Sequence, residues 1–110
     1  MFGNNLSKVE KLIEKKKDAE LAKLADSKDS AVRLAAIAGL GKVNGEASFN
    51  ALVTLLRSQD PGIRVAVANA MAESGDPKLR AHIEHLLKNE TDAKVIAALH
   101  AALGKIKDKL

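Results

Sequence analysis

The chain has 110 residues, a formal net charge of +4 and no cysteine, which excludes disulfide bonds and thiolate metal sites. No apolar run has the length of a signal peptide or a transmembrane helix, so we expect one domain over residues 1–110 in the cytoplasm. The basic excess lies at the ends, because residues 1–17 carry five lysines against two glutamates, whereas residues 18–104 carry ten basic and eleven acidic side chains. A phosphate-binding surface along the middle of the chain is therefore not indicated.

Apolar spacing and capping signals predict helices throughout the chain and no strand. Asp60 and Asp76 each precede a proline, which places an N-cap acceptor before Pro at the first helical position. Gly45 and Gly75, which follow Asn44 and Ser74, predict stops between helices. The seven predicted helices cover residues 5–17, 19–26, 30–42, 46–58, 61–73, 77–88 and 93–108.

One phrase occurs three times, beginning at Asp29, Asp60 and Asp92, which stand 31 and 32 residues apart. A repeat of this length predicts stacked helix pairs. The helices that follow these Asp residues carry Ala and Gly on several sides, which predicts that each contacts its own partner and the equivalent helices before and after it. We divide the chain into an N-terminal capping helix, residues 5–17, and three units, residues 18–43, 44–74 and 75–108.

The repeated phrase resembles HEAT repeats, particularly the short bacterial form known from the phycobilisome-lyase group, which reads Asp-x-x-Val-Arg-x-Ala-Ala-x-Ala-Leu-Gly. The resemblance covers about residues 18–108 and implies an all-α, right-handed superhelix of helix pairs, an armadillo-like solenoid that serves as a scaffold for protein binding. It implies structural roles between repeats for the Asp and Arg of the phrase. These residues are Asp29, Arg33, Asp60, Arg64 and Asp92.

The sequence departs from the family pattern at two kinds of position. The family usually places an acidic residue six positions before the Arg, where this chain has Ser27, Ser58 and Glu90. An Asp–Arg ladder is therefore not predicted for the first two units, although their Asp residues can cap helices and still meet a neighbouring Arg. The third unit has Ile96 in place of the Arg, which we interpret as a terminal cap that needs no polar contact to a following repeat.

A candidate binding surface follows from the register of the other helix in each unit. Asn50 and Thr54 face outward if Leu52, Leu55 and Leu56 face inward. The repeat length of about 31 residues then gives the equivalent outward positions in the units before and after. The resemblance implies that these second helices line the concave face of the array. The candidate partner-binding residues are Lys23, Asn50, Thr54, Arg57, His85 and Lys88, with Ala19, Asp26 and Ala81 completing nine outward positions. An ordinary solvated helix face remains the alternative.

A second candidate surface lies on the other layer, where Leu34, Ile37 and Val65 point away from the main apolar stripe. An exposed patch here predicts a protein partner or self-association. The alternative is that these side chains pack between adjacent helices of the same layer.

The N-terminal helix suggests a different function, electrostatic binding to nucleic acid or a membrane surface through its lysines. The alternative is a capping helix whose apolar stripe, Leu6, Val9, Leu12 and Ile13, covers the first unit. The lysines concerned are Lys8, Lys11, Lys15, Lys16 and Lys17.

Little in the sequence indicates catalysis. A metal-assisted enzyme would have to use His82, Glu84 and His85, with His100 one helix later. His82 and His85, three residues apart on a helix, are close enough to share a metal with a third ligand, but His82 flanks the apolar stripe whereas His85 points outward. No phosphate-binding loop, nucleophile elbow or cysteine nucleophile is present, and the lack of Tyr and Trp disfavours base-stacking sites. We therefore predict a non-enzymatic protein without a cofactor or metal, which binds a protein or peptide.

Overall fold

The computed structural model describes the backbone of residues 2–106 and the side chains of residues 5–106. This part of the chain forms seven α-helices, one 3-10 turn and no strand, which confirms the predicted all-α class. The helices are α1 (Phe2–Glu14), α2 (Asp18–Leu24), α3 (Ser30–Lys42), α4 (Glu46–Leu55), α5 (Pro61–Ser74), α6 (Arg80–Leu87) and α7 (Ala93–Lys105), and the 3-10 turn (Pro77–Leu79) precedes α6.

Helix α1 ends at Glu14, earlier than the predicted end at residue 17. Lys16 adopts a left-handed backbone conformation with φ of 56°. The N–H of Lys17 donates to the carbonyl of Leu12 at 2.9 Å, and the N–H of Lys16 donates to the carbonyl of Ile13 at 3.0 Å. These bonds form a Schellman motif, which pairs the last carbonyls and ends the helix.

The predicted helix over residues 77–88 is divided in the structure. Its first turn is the 3-10 turn, where the side chain of Asp76 accepts a hydrogen bond from the N–H of Lys78 at 2.9 Å. Tighter turns of this kind are frequent at helix N-termini. Helix α7 ends at Lys105, and its predicted end at residue 108 lies outside the described residues.

The helices form two layers, with α1, α3, α5 and α7 in one and α2, α4 and α6 in the other. Helix α3 contacts α1 and α5 within its layer and α2 and α4 across the core, as its Ala-rich and Gly-rich sides predict. Gly41 on α3 approaches the backbone of Ala70 on α5 so closely that a Cβ at position 41 would lie 2.9 Å from the Ala70 Cα. Fully buried Leu21, Leu52 and Ile83 fill the space between the layers.

The extent of contact between neighbouring helices differs between the two layers. The α3–α5 and α5–α7 contacts are extensive, whereas α4 and α6 barely touch. Helices α2, α4 and α6 are also shorter than α3, α5 and α7, which limits the contact that they can make. The concave position of the second layer is a prediction of the resemblance.

Helix α1 closes one end of the array. It packs on α2 and α3 with Val9 and Leu12 buried, while Leu6 is 39% exposed. Ile13 lies against Gly39 of α3, where a Cβ would come within 2.9 Å of the isoleucine Cγ1. The glycine thus allows α1 to pack closely on the first unit.

The Asp residues of the repeated phrase cap the helices that they precede. The side chain of Asp29 accepts hydrogen bonds from two backbone N–H groups of α3, Asp60 accepts one from Gly62 at 2.8 Å, and Asp92 accepts two from α7. Two residues earlier, the side chains of Ser27, Ser58 and Glu90 each accept a hydrogen bond from the N–H of the capping Asp. These three side chains therefore occupy equivalent places in their units.

A buried ion pair joins the second unit to the third. The Arg64 Nε and Nη2 atoms donate to the two carboxylate oxygens of Glu90 at 2.8 and 3.0 Å, and the Glu90 side chain is only 4% exposed. Arg64 Nη1 also donates to the carbonyl of Ser58 at 2.7 Å. The Arg64 hydrogen bond is the main cause that lowers the pKa of Glu90, against the burial that raises it, and the N–H of Asp92 adds to the lowering.

The junction between the first and second units lacks this ion pair. Arg33 Nη1 donates to the carbonyl of Ser27 at 3.3 Å, as Arg64 does in its own unit, but the buried Arg33 Nε has no partner among the described residues. Ser58 occupies the position equivalent to Glu90 at this junction. Its side chain is too short to reach Arg33 Nε and carries no charge. The ladder is thus present at one junction and absent at the other.

A carboxylate from the preceding unit caps helix α4. The N-cap residue, Gly45, has no side chain, and Asp18 Oδ2 instead accepts hydrogen bonds from the N–H groups of Ala47 at 3.1 Å and Ser48 at 3.3 Å. A Cβ on Gly45 would lie 2.9 Å from the Asp18 Cγ, so only glycine leaves room for this carboxylate. Asp18 therefore joins the start of α2 to the start of α4.

Candidate functional site

The nine predicted outward positions form an exposed ridge across the layer of α2, α4 and α6. We use the word ridge for these nine residues. All nine side chains are exposed, while Leu52 and Leu56 on the opposite side of α4 are buried. Exposure is what a binding surface requires, but it does not by itself distinguish a site from a solvated face.

Two grooves run beside the ridge and meet at Asn50. The groove between α2 and α4 has a volume of about 370 Å³, with Ala51 and Leu55 in its apolar lining and Thr54 at its polar edge. The groove between α4 and the 3-10 turn has a volume of about 590 Å³ and is more polar. Asn50 lines both grooves, so its amide lies at the centre of this face.

The ridge carries more positive than negative charge. Lys23, Arg57 and Lys88 contribute cationic groups, and Asp26 contributes one carboxylate. All four side chains are exposed, so dissolved ions screen the charges that they carry. The charge therefore favours acidic groups in a partner without producing a strong long-range field.

Phe49 fills the gap between α4 and the 3-10 turn, where the helices are far apart. Its ring meets the ring of His82 edge to face, with the centroids 5.8 Å apart. The Lys78 Nζ lies over the Phe49 ring at 5.3 Å from the centroid. The apolar stripes do not reveal this cluster, and the single aromatic residue in the predicted helix 46–58 is the sequence signal that points to it.

The residues considered for a metal site do not form one. His82 is partly buried against Phe49, His85 is exposed, and Glu84 pairs with Arg80 at 3.5 Å. Within residues 2–106, no three His, Cys, Asp or Glu side chains come together in a way that could hold a metal ion, so His100 does not complete a set.

The predicted Leu34–Ile37–Val65 patch is wrong as a continuous surface. Leu34 is 44% exposed, but Ile37 is completely buried and Val65 is half-buried. Ile37 lies one turn before Gly41, on the side of α3 that meets α5, and this explains its burial. Packing between helices, the alternative interpretation, therefore accounts for Ile37.

Five lysines lie near the N-terminus, Lys8 and Lys11 on α1 and Lys15, Lys16 and Lys17 in the turn that follows it. All five are exposed, and none lies within 4 Å of a carboxylate oxygen among the described residues. The apolar side of α1 is occupied in covering the first unit, as described above. No helix in the described part of the chain is long and apolar enough to cross a membrane.

Comparison with known families agrees with this architecture. A family model described as HEAT repeats matches residues 19–104. No curated protein sequence matches the chain. HEAT repeats are commonly protein-interaction scaffolds and are typically non-catalytic. The matched segment covers α2 to α7, and the chain therefore belongs to the HEAT-repeat family.

Proposed function

We propose that this protein is a non-enzymatic interaction module that binds a protein or peptide along the ridge. The observation that supports this function most directly is the meeting of two grooves at Asn50, in the middle of an exposed face that crosses all three units. Neighbouring units hold this face in position, so a partner meets a preformed surface. The proposed contact residues are Lys23, Asn50, Thr54, Arg57, His85 and Lys88.

The chemistry of the ridge suits an extended segment with acidic and small apolar side chains. The α2–α4 groove offers Ala and Leu side chains to an apolar group. The Asn50 amide can donate to and accept from a peptide backbone, because it carries both a carbonyl and an NH₂ group. Arg57 and Lys88 lie just after the C-terminal ends of α4 and α6, where acidic side chains of the partner would reach them.

The first test is a charge reversal on the ridge. Extracts of the source cell are passed over the wild-type chain, over Arg57→Glu with Lys88→Glu, and over a control, Lys94→Glu with Lys105→Glu. The control makes the same change of charge at exposed positions of α7, on the other layer. We expect a partner that binds the wild type and the control and is lost on the ridge variant.

The purified partner then permits a quantitative measurement. We expect the ridge variant to bind at least about tenfold more weakly, since reversing charges at an interface rim replaces attraction by repulsion. Asn50→Ala should also weaken binding without lowering the melting temperature, because Asn50 is exposed and alanine is the better helix former. Full affinity in a folded ridge variant would refute the assignment of this surface.

A second candidate function uses the five exposed lysines of α1 and the turn that follows it. Their exposure and lack of carboxylate partners favour electrostatic binding to nucleic acid or to an anionic membrane surface. The test is binding to an RNA oligomer and to vesicles that contain phosphatidylserine, at low salt, with Lys11→Glu and Lys15→Glu as the comparison. The idea fails if the wild-type chain binds neither probe.

Two finer assignments belong to the same proposal. The 31-residue and 32-residue spacing of the Asp residues supports the short bacterial type of HEAT repeat, similar to the phycobilisome-lyase group. The absence of cysteine is compatible with a cytoplasmic location, which fractionation of the source cell would test.

A further inference from the structure

The junction between the first and second units holds a buried cationic group without an anionic partner. At the second junction, the Arg64 Nε and Nη2 atoms meet both carboxylate oxygens of Glu90, at 2.8 and 3.0 Å. Arg33 donates from Nη1 to a backbone carbonyl as Arg64 does, but its buried Nε has no partner among the described residues. A guanidinium does not lose its proton in proteins, so this side of Arg33 is charged, shielded from water and unpaired.

Ser58 lies at the position from which an anionic group would meet Arg33. The hydroxyl oxygen of Ser58 accepts a hydrogen bond from the N–H of Asp60 at 3.1 Å. A carboxylate oxygen of Glu90 accepts the equivalent bond from the N–H of Asp92 at 3.0 Å. The serine hydroxyl itself is too short for the arginine, but a phosphoserine has the reach of a glutamate, because the same number of bonds separates Cβ from the terminal oxygens in both.

A phosphoryl group has the chemistry that the Arg33 Nε lacks. It carries a charge of about −1.5 to −2 at pH 7 and three strong acceptor oxygens, which match the planar fork of a guanidinium. On Ser58 it would precede α5, and the N-terminus of a helix favours negative charge. The nearby carboxylate of Asp60 does not prevent this arrangement, since Glu90 and Asp92 stand in the same relation before α7 and both accept from backbone N–H groups.

Burial of the Arg33 Nε favours a phosphate that is attached to the chain over a free ion. Solvent does not reach this atom, so a dissolved anion would have to separate the packed units in order to bind it. Ser58 is half-buried in the connection between α4 and α5, where its neighbours Arg57, Gln59 and Asp60 are exposed. Local opening of this connection presents the hydroxyl to an enzyme, and the group that it receives returns to the junction with the chain.

We propose that Ser58 is a phosphorylation site and that its phosphoryl group pairs with Arg33 and joins the first unit to the second. The donor is a nucleoside triphosphate and the catalyst is a serine kinase. The Ser58 oxygen forms a bond to the γ-phosphorus, the bond from that phosphorus to the bridging oxygen breaks, the nucleoside diphosphate leaves, and the hydroxyl proton passes to a base of the kinase. Modification thus gives the first junction the ion pair that the second junction always has.

The first test uses the full chain with genetically encoded phosphoserine at position 58. Its melting temperature at pH 7 should exceed that of the unmodified chain by roughly 4–8 °C, and Arg33→Gln should abolish this rise. The matched control is phosphoserine at position 27. Ser27 makes the same bond to the N–H of Asp29, at 3.1 Å, but no earlier unit carries the arginine of the repeated phrase, so we expect no rise. A rise without Arg33, an equal rise at position 27, or no rise at position 58 overturns the proposal.

Phosphorus NMR of the same samples separates pairing with Arg33 from a general effect of charge. A free phosphoserine has a second pKa of about 6, and a neighbouring guanidinium lowers it because a positive charge favours the dianion. The phosphate on Ser58 should therefore titrate at lower pH in the wild-type background than with Arg33→Gln. The carboxylate of Asp60 is present in both backgrounds, so the difference reports the guanidinium. Equal pKa values contradict the pairing.

Mass spectrometry of the chain purified from its source cell with phosphatase inhibitors tests the modification itself. We expect a phosphorylated peptide that contains Ser58, and its absence overturns the proposal. Thermal unfolding in inorganic phosphate and in chloride of equal ionic strength tests a free ion as the occupant. A stabilisation by phosphate that Arg33→Gln removes would assign the junction to a dissolved anion and refute the covalent source. None of these measurements uses the ridge or its partner, so they are independent of the proposed binding function.

Discussion

Ser58→Glu should supply the ion pair that is missing between the first and second units. Ser58 and Glu90 are equivalent, since each accepts a hydrogen bond from the N–H of the capping Asp two residues later. A glutamate at position 58 can keep this bond and reach the buried Nε of Arg33, as Glu90 reaches the Nε of Arg64. The substitution therefore places a carboxylate where an unpaired buried donor already exists.

The expected gain is about 1–2 kcal/mol in the free energy of unfolding. An unsatisfied buried donor costs about 1–3 kcal/mol, and pairing it recovers part of this cost after the new carboxylate has been desolvated. For a domain of this size, the melting temperature should rise by roughly 4–12 °C. Thermal and urea unfolding, followed by circular dichroism at 222 nm and pH 7, measure both quantities.

Two controls separate the charge from the added bulk. Ser58→Gln has nearly the same shape as Ser58→Glu and no charge, so it should give less than half of the gain. In an Arg33→Gln background, Ser58→Glu should give none, because its partner is absent. If Ser58→Glu leaves stability unchanged or lowers it, or if the gain persists without Arg33, the equivalence of the two junctions is refuted.

Three further perturbations follow from the structure. The pKa of Glu90 is lowered in the folded state, so its ionised carboxylate contributes fully to stability at pH values above its unfolded-state pKa. This contribution is lost as the pH falls through the folded-state pKa. Glu90→Gln should therefore lower the free energy of unfolding at pH 7 and remove this part of its dependence on acid pH, as measured by urea titrations. Lys16→Gly should raise the free energy of unfolding by about 0.5–1 kcal/mol, because glycine adopts the left-handed conformation without steric cost, and an unchanged or lower value would contradict the Schellman ending. Gly41→Ala should lower the free energy of unfolding by about 1–3 kcal/mol, because the new Cβ would overlap the backbone of Ala70. Gly104→Ala, at the equivalent position of α7, should raise it by about 0.5–1 kcal/mol, because alanine is the better helix former. Equal effects of these two glycine substitutions in thermal unfolding would show that close packing at position 41 is not the cause.

The repeat spacing predicted the fold because it reports contacts that recur. Asp60 and its equivalents precede helices, and Leu52 and its equivalents face inward. Both features recur at the same spacing in each unit. Exposure of the ridge follows from the same register, since residues opposite a buried stripe face solvent. For these features the sequence was sufficient.

Features that depend on one particular neighbour could not be predicted in this way. Ile37 was placed on the correct side of α3, but its burial depends on how closely α5 approaches, which the glycine at position 41 allows. The end of α1 was not predicted because Lys16, and not a glycine, adopts the left-handed conformation after the helix. The role of Asp18 is equally hidden, because its partners lie 29 and 30 residues away on another helix.

The cap that Asp18 provides to α4 has a consequence for how the array opens. Helix α4 carries Asn50 and Thr54, yet its first turn depends on a carboxylate that belongs to α2. Any fluctuation that lifts the start of α2 also releases the N–H groups of Ala47 and Ser48, so the two helices should exchange amide hydrogens as one cooperative unit. Ordering of α4 by a bound partner would, for the same reason, slow exchange in α2, at a helix that the partner need not touch.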